Sequence, residues 1–300
     1  MTSDLMKTTS DNTRQEKSRY KNSRRTIRVL FGRIVVLFAV IIILLNIIIA
    51  IFAPFLAPYD PYDQNLSEAL QEPSAKHWLG TDSLGRDELS RVIYGTRISL
   101  QVGLIAVGIA AVLGFSAGLV AGYFGGTIDT IIMRVIDSLM AIPTMVLILA
   151  ISAALGGGLQ NIMIAVAIGM SPEYSRMIRS MAISIKETEY ITAGRAVGAG
   201  DLRVMVRHIL PNSFPPLIVL VTLSIGYAIQ LEASLSFLGI GIAPPGAAWG
   251  SMVNDGYKYL ITNPILSFAP GACIMLLILS INMLGDGLRD ALDPRLRGAL

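Results

Sequence analysis

ITAGRAVGAGDLRVMVRHILPN, residues 191–212, is a small-residue, polar interruption between two long apolar runs. Arg195, Asp201, Arg203, Arg207 and His208 stand in it among Ala and Gly, and Pro211 closes it. Just upstream and into it, SIKETEYITAGRAV is made of good helix formers without proline, until Gly198, Ala199 and Gly200 supply a break. Asp201 then occupies an N-cap position. Leu202, Met205, Val206 and Ile209 follow at i, i+3, i+4 and i+7, with Arg203 and Arg207 on another face. Pro211 ends this second helix and suits the first turn of the next. The spacing predicts two short helices meeting at a glycine elbow. Ala193, Gly194, Ala196, Val197 and Gly198 give the elbow the low profile needed to enter a partner's groove.

Working outward, the chain of 300 residues is 53% hydrophobic and 15% charged, with a mean hydropathy of +0.61, which places it in a bilayer. Crossing a hydrocarbon core of roughly 30 Å takes about 20 apolar residues in a helix. Six such runs occur, at about 29–55, 99–124, 129–154, 159–183, 212–238 and 264–288. The fold expected is all-α and polytopic, with six transmembrane helices. The first run is too long for a signal-peptide apolar region and is read as a retained span. Of the 24 Lys and Arg, only Lys76, Arg86, Arg91, Arg97 and Lys258 fall on one side of this topology, so the other side, carrying both termini, is expected to be cytoplasmic. Residues 1–28 read as a basic cytoplasmic tail and 29–300 as the membrane domain. Within that domain, about 56–98 is expected outside and about 184–211 is a cytoplasmic loop.

Several features carry narrower expectations. Gly114, Gly118, Gly122 and Gly126 recur every fourth residue and mark a face for close helix packing, or a surface that slides. GFSAG at 114–118 matches a serine nucleophile elbow, but inside a span and far in sequence from His77 and His208 it is not expected to be catalytic. Arg134 and Asp137 are spaced for a local ion pair, with Pro143 kinking the same helix. Asp137 and Glu232 are the ionisable candidates for a translocation path; Glu232 lies about 20 residues, roughly 30 Å, beyond Pro211. Asp82, Arg86 and Asp87 either cap and pin an outer helix or form a docking surface. Cys273 is the single cysteine and the histidines are two, so neither a disulfide nor a metal site is expected. No lysine follows a glycine, so no phosphate-binding loop is present and the chain is not expected to hydrolyse ATP by itself.

The stretch quoted first resembles the EAA loop of ABC importer permeases: Glu-Ala-Ala, three residues, Gly, nine residues, an apolar position, any residue, Leu-Pro. Thr192, Ala193 and Gly194 fall on the Glu-Ala-Ala positions, Gly198 on the glycine, and His208, Leu210 and Pro211 at the end. Thr192 departs from the pattern and removes a carboxylate. HWLGTDSLGRDELSRVIYGTRISL (77–100), LEASLSFLGIGIAPPGAAWGSM (231–252) and LGDGLRDALDPRLRG (284–298) are similar to segments of the dipeptide, oligopeptide and nickel branch, in its second permease. The resemblance implies a type I ABC importer permease fold and a non-catalytic subunit forming half of a translocation pathway. It further implies a second homologous permease chain, two cytoplasmic ATPase subunits holding ATP and Mg, and an extracytoplasmic solute-binding protein. No cofactor on this chain and no nucleic-acid partner are expected, and the location implied is a prokaryotic cytoplasmic membrane. By the same resemblance, Tyr190, Thr192, Ala193, Gly194, Arg195, Ala196, Gly198, Asp201, Arg203, Arg207, His208, Leu210 and Pro211 form the ATPase-coupling loop, and Asp82, Arg86 and Asp87 are candidates for docking the binding protein. The rival reading is a secondary carrier driven by an ion gradient, against which stand the elaborated loop and the lack of an obvious inverted repeat.

Overall fold

The computed structural model describes residues 34–242 and 245–292. The basic tail and the terminal Arg295 and Arg297 lie outside them. Among the described residues all regular structure is helical, apart from one isolated bridge between Thr81 and Asp87.

Helix α1, Ile34–Leu56, is apolar all round and buries little beyond Val36, Ala39 and Ala53, as a helix facing lipid does. α2, Glu88–Phe124, is 37 residues long without a proline. It begins well before the apolar run expected at 99. Its first turns bury Glu88, Ser90, Arg91 and Thr96 against other parts of the chain; Ser90, Thr96 and a terminal nitrogen of Arg91 find internal partners, whereas Glu88 Oε1 has none. α3, Gly126–Met140, and α4, Thr144–Leu155, replace the third expected span. They bend by 91° at Ala141–Pro143, a break where Pro143 alone predicted a kink. α5, Leu159–Lys186, packs at the centre. The long helix that follows runs continuously from Asp201 to Phe237 as α7, Asp201–Val204, a π turn over Met205–Ile209, and α8, Leu210–Phe237. The preceding α6 is Glu189–Ala196; α9, Trp249–Tyr257, and α10, Ile265–Leu292, complete the chain.

Four of these helices are long and apolar enough to cross a bilayer, namely α1, α2, the continuous 201–237 helix and α10; the bent α3–α4 pair makes a fifth if it is one crossing. The run expected at 159–183 is helical but falls short of that apolarity. The reason is its position: α5 shows much of its surface to other helices, burying Ser171, Ser175 and Tyr174, and uses Arg176 and Arg179 for contacts with α3.

The α2–α5 seam runs parallel. A Cβ on Gly114 would lie 2.5 Å from the Ser171 carbonyl oxygen, one on Gly122 2.7 Å from that of Arg179, and one on Gly118 would collide with that of Ser175. Close backbone approach therefore decides three of the four glycines of the repeat. Gly126 falls outside it, with open space where a Cβ would stand. Above the seam, Val102, Ala106, Val107 and Ala110 meet Ile162, Val166 and Met170 of α5 and Leu231 and Leu235 of α8. α9 docks on the start of α2 through buried Trp249, whose Nε1 donates to the Val92 carbonyl at 2.9 Å.

Candidate functional site

At one end of the bundle, residues 187–211 form the short helix α6 and the first turns of the long 201–237 helix, with Gly198 and Gly200 between them. α6 closes on itself through Gly198, whose amide donates to the Arg195 carbonyl at 2.9 Å and whose φ is +92°, a left-handed value that a side chain resists. Gly194, Gly198 and Gly200 have open space where a Cβ would stand, so no internal packing demands them. Ile191, Val204 and Ile209 turn inward onto Leu119, Ile178 and Ala182.

Three details differ from the sequence-based expectations. Asp201 is the first helical residue and not a cap; Gly200 precedes the helix, and the Asp201 carboxylate accepts from the Tyr123 hydroxyl at 2.5 Å. Pro211 stands in the first turn of α8, as expected, but does not end the helix before it. The i→i+5 turn, in which the Leu210 amide donates to the Met205 carbonyl, shifts the hydrogen-bond ladder ahead of the proline, and the chain runs on into α8. That same turn splits the apolar stripe: Val204 and Ile209, five apart, face inward, whereas Leu202 and Val206 face out. Val197 is 87% exposed, Leu202 74% and Val206 54%, an apolar knob beside Arg195, Arg203 and Arg207. Tyr190 meets the His208 ring edge-on at 5.9 Å, and Asn212 Nδ2 donates to the His208 carbonyl at 2.7 Å and to the Tyr190 hydroxyl at 3.2 Å, tying α6 to α8.

Tyr123, which the sequence reading passed over, is 3% exposed at the end of α2. Arg195 stacks its guanidinium over the Tyr123 ring at 5.1 Å, and Lys186 Nζ donates to the Tyr123 carbonyl at 2.8 Å. The available signal was an aromatic at the end of a span, where amphipathic rings favour the interface.

The path candidates are placed differently from one another. Asp137 pairs across to Arg176 at 2.6 Å, 39 residues away, in place of its local partner Arg134. Two turns earlier Asp129 accepts both Nε and a terminal nitrogen of Arg179, at 2.5 and 2.6 Å. Met133, Asp137, Arg176 and Arg179 line a cavity of about 400 Å³. Glu232 is fully buried, with Oε1 accepting from Ser236 at 2.7 Å. A separate cavity of about 410 Å³ is lined by Gln230, Ser234 and Phe237 of α8, with Met145, Val253 and Ile274; Glu232 is not part of its lining. Ser116, of the GFSAG motif, donates to the Val112 carbonyl at 2.8 Å and neither histidine bonds to it.

At the opposite end, Asp82, Arg86 and Asp87 are buried and hold the chain together. Asp87 caps α2, accepting from the Ser90 amide at 2.8 Å and hydroxyl at 2.7 Å, while its other oxygen meets His77 Nδ1 at 2.9 Å. Asp82 accepts from Arg86 Nε at 2.6 Å and lies 3.4 Å from Arg91 Nε. Arg91 also donates to the Pro61 carbonyl at 3.2 Å, fastening residues 57–87 to α2. On the surface of this segment the Lys76 hydrogen bond holds the Glu68 carboxyl below the usual carboxylate range. That contact supports the fold at pH values above the ordinary carboxylate range and is lost as pH falls through the lowered one.

Comparison with known proteins agrees with this architecture. The family described as binding-protein-dependent transport system inner membrane component matches residues 114–298, and the N-terminal TM domain of oligopeptide transport permease C matches residues 23–73. The dipeptide transport system permease protein DppC of Alkalihalophilus pseudofirmus is 47% identical over 246 residues, covering 82% of this chain and 81% of that one. The glutathione transport system permease protein GsiD of Pectobacterium atrosepticum is 43% identical over 247 residues, covering 82% of each. Among solved structures, an inward facing form of the MetNI methionine ABC transporter superposes with a TM-score of 0.55 at 20% identity, over 67% of this chain and 96% of that one, a likeness of fold.

Proposed function

The chain belongs to the inner membrane components of binding-protein-dependent transport systems, and on that premise we propose that it is one permease subunit of an ATP-driven importer of dipeptides, oligopeptides or a related small solute. It forms half of the pathway beside a second, homologous permease. The tail, the 187–211 loop and the carboxyl terminus face the cytoplasm, where nineteen of the 24 Lys and Arg gather under the positive-inside bias. Two separate ATPase subunits, holding ATP and Mg, dock on that loop, and a solute-binding protein delivers cargo at the 57–87 end.

The observation that carries this reading is the helix pair at 187–211. Its apolar knob of Val197, Leu202 and Val206 is flanked by arginines, and the pair is continuous by chain with both α5 and α8. An apolar centre with a charged rim is the make-up of a protein interface. Because the second helix of the pair runs unbroken into α8, a push on the knob becomes a tilt of a membrane helix, the movement that alternating access requires. The dipeptide and glutathione permeases support the substrate class.

A cysteine at Ala196 tests the reading. Assembled with its ATPases in nanodiscs, the chain should crosslink through that position to an ATPase, and import should require ATP. Uptake by this chain alone in ATP-free liposomes, driven by a proton or sodium gradient, would instead establish a secondary carrier.

A further inference from the structure

Three residues of the 187–211 region or its immediate approach converge on one residue of a helix they are not joined to. Lys186 ends α5, Arg195 lies in the last turn of α6 and Asp201 starts α7, yet all three meet Tyr123 of α2, through its carbonyl, ring face and hydroxyl respectively. Lys186 Nζ also stands 5.9 Å from the ring centroid, so two cations lie within reach of one aromatic ring, each drawn by its quadrupole. The hydroxyl bond, at 2.5 Å to a carboxylate, is of the charge-assisted kind.

The helix so gripped is suited to carry a displacement. α2 spans 37 residues, roughly 55 Å, without a proline to bend it. Its far end is clamped by the Asp87 cap, the Asp82–Arg91 pair and the Trp249 bond to Val92. Just past the grip, Gly125 and Gly126 take φ of +67° and +55°, so α2 ends there and the chain turns into α3, which the Asp129–Arg179 pair holds to α5.

We propose that Tyr123 is a positioning residue that clasps the loop to α2, so that movement of the loop reaches the 57–87 segment as well as the two helices the loop connects. The inference rests on the reading of the loop as the ATPase receiver. It makes α2 the element through which a loaded binding protein at one end and the ATPases at the other sense each other.

The test uses the complete importer in nanodiscs with its binding protein and a transported dipeptide. Tyr123→Phe keeps the ring for Arg195 and the carbonyl for Lys186 and removes only the proton given to Asp201. Losing a bond to a charged acceptor shifts such an equilibrium by roughly ten-fold, so stimulation of ATP hydrolysis by the loaded binding protein should fall by about that factor. In proteoliposomes, ATP consumed per dipeptide imported should rise, while the Ala196 crosslink to the ATPase persists. Asp201→Ala should reproduce the loss, Asp201→Asn, which keeps an acceptor, should restore most of it, and the double variant Tyr123→Phe/Asp201→Ala should be no worse than either single. Wild-type stimulation in Tyr123→Phe with the crosslink intact overturns the clasp alone, as do losses that simply add in the double variant. Absence of the crosslink in the unsubstituted complex overturns the docking reading instead. Should Tyr123→Phe fail to assemble, the contrast between Asp201→Ala and Asp201→Asn decides, equal behaviour of the two counting against the clasp.

Discussion

An alanine at Gly118 places one methyl group against the Ser175 carbonyl, with the Ser175 carbon 3.0 Å and the Arg179 amide nitrogen 3.1 Å away. All three obstacles are backbone, so no side chain can swing aside and α5 itself must retreat. Gly108 lies on the same helix with nothing within 4 Å of its virtual Cβ. Gly→Ala in a helix interior gains about 0.8–1.0 kcal/mol of propensity at either site, so the gain cancels in the comparison. What is left is overpacking, about 1–3 kcal/mol, a factor of about five to more than a hundred in the folded-to-unfolded ratio. Thermal and SDS unfolding of the two variants in one detergent measures the difference. Gly108→Ala should match or exceed the unsubstituted chain and Gly118→Ala should fall below it. Equal midpoints would mean that the α2–α5 seam is not close-packed and that the glycine repeat needs another explanation.

Two further substitutions separate effects that the fold keeps apart. Gly198→Ala costs about 1–2 kcal/mol of left-handed strain, and Gly194→Ala, in helical backbone with equal open space, costs nothing; proteolysis of the purified complex should therefore open the loop in the first and not the second. Asp87→Ala removes the α2 cap, worth about 1 kcal/mol, and leaves buried His77 without that partner, so amides 88–91 should exchange hydrogen several-fold faster; Asp87→Asn should keep most of the protection, and unchanged exchange in Asp87→Ala would discount the cap.

The apolar runs and the glycine elbow could be read from local order, because span length and backbone freedom are properties of neighbouring residues. Facing and long-range pairing could not. Counting residues from Pro211 set the position of Glu232 along the helix and not its rotation about the axis; it is fully buried against Ser236 and is not among the residues lining the cavity of Gln230, Ser234 and Phe237. Asp137 found its partner on α5, where i, i+3 reasoning looked only along α3. The proline rule placed Pro211 correctly in the first turn of α8, but its expectation that the preceding helix stops there assumed an α-helical ladder and failed where the ladder was already out of register. Tyr123 was missed because its importance comes from three residues between 63 and 78 positions away, which meet it only once α2, α5 and the loop have assembled.

The glycine seam also bears on how many parts this molecule has. Where Gly114, Gly118 and Gly122 seat against carbonyl oxygens, there is no gap for a lipid chain or a water to act as lubricant, and any sliding along the axis would lift a backbone over a backbone. Helices α2 and α5 thus do not slide past each other along this seam. The changes of chain direction lie beside it, at the right-angle break in 141–143 and at the glycine pair before α3, so that a rearrangement of many helices reduces to the motion of a few stiff segments.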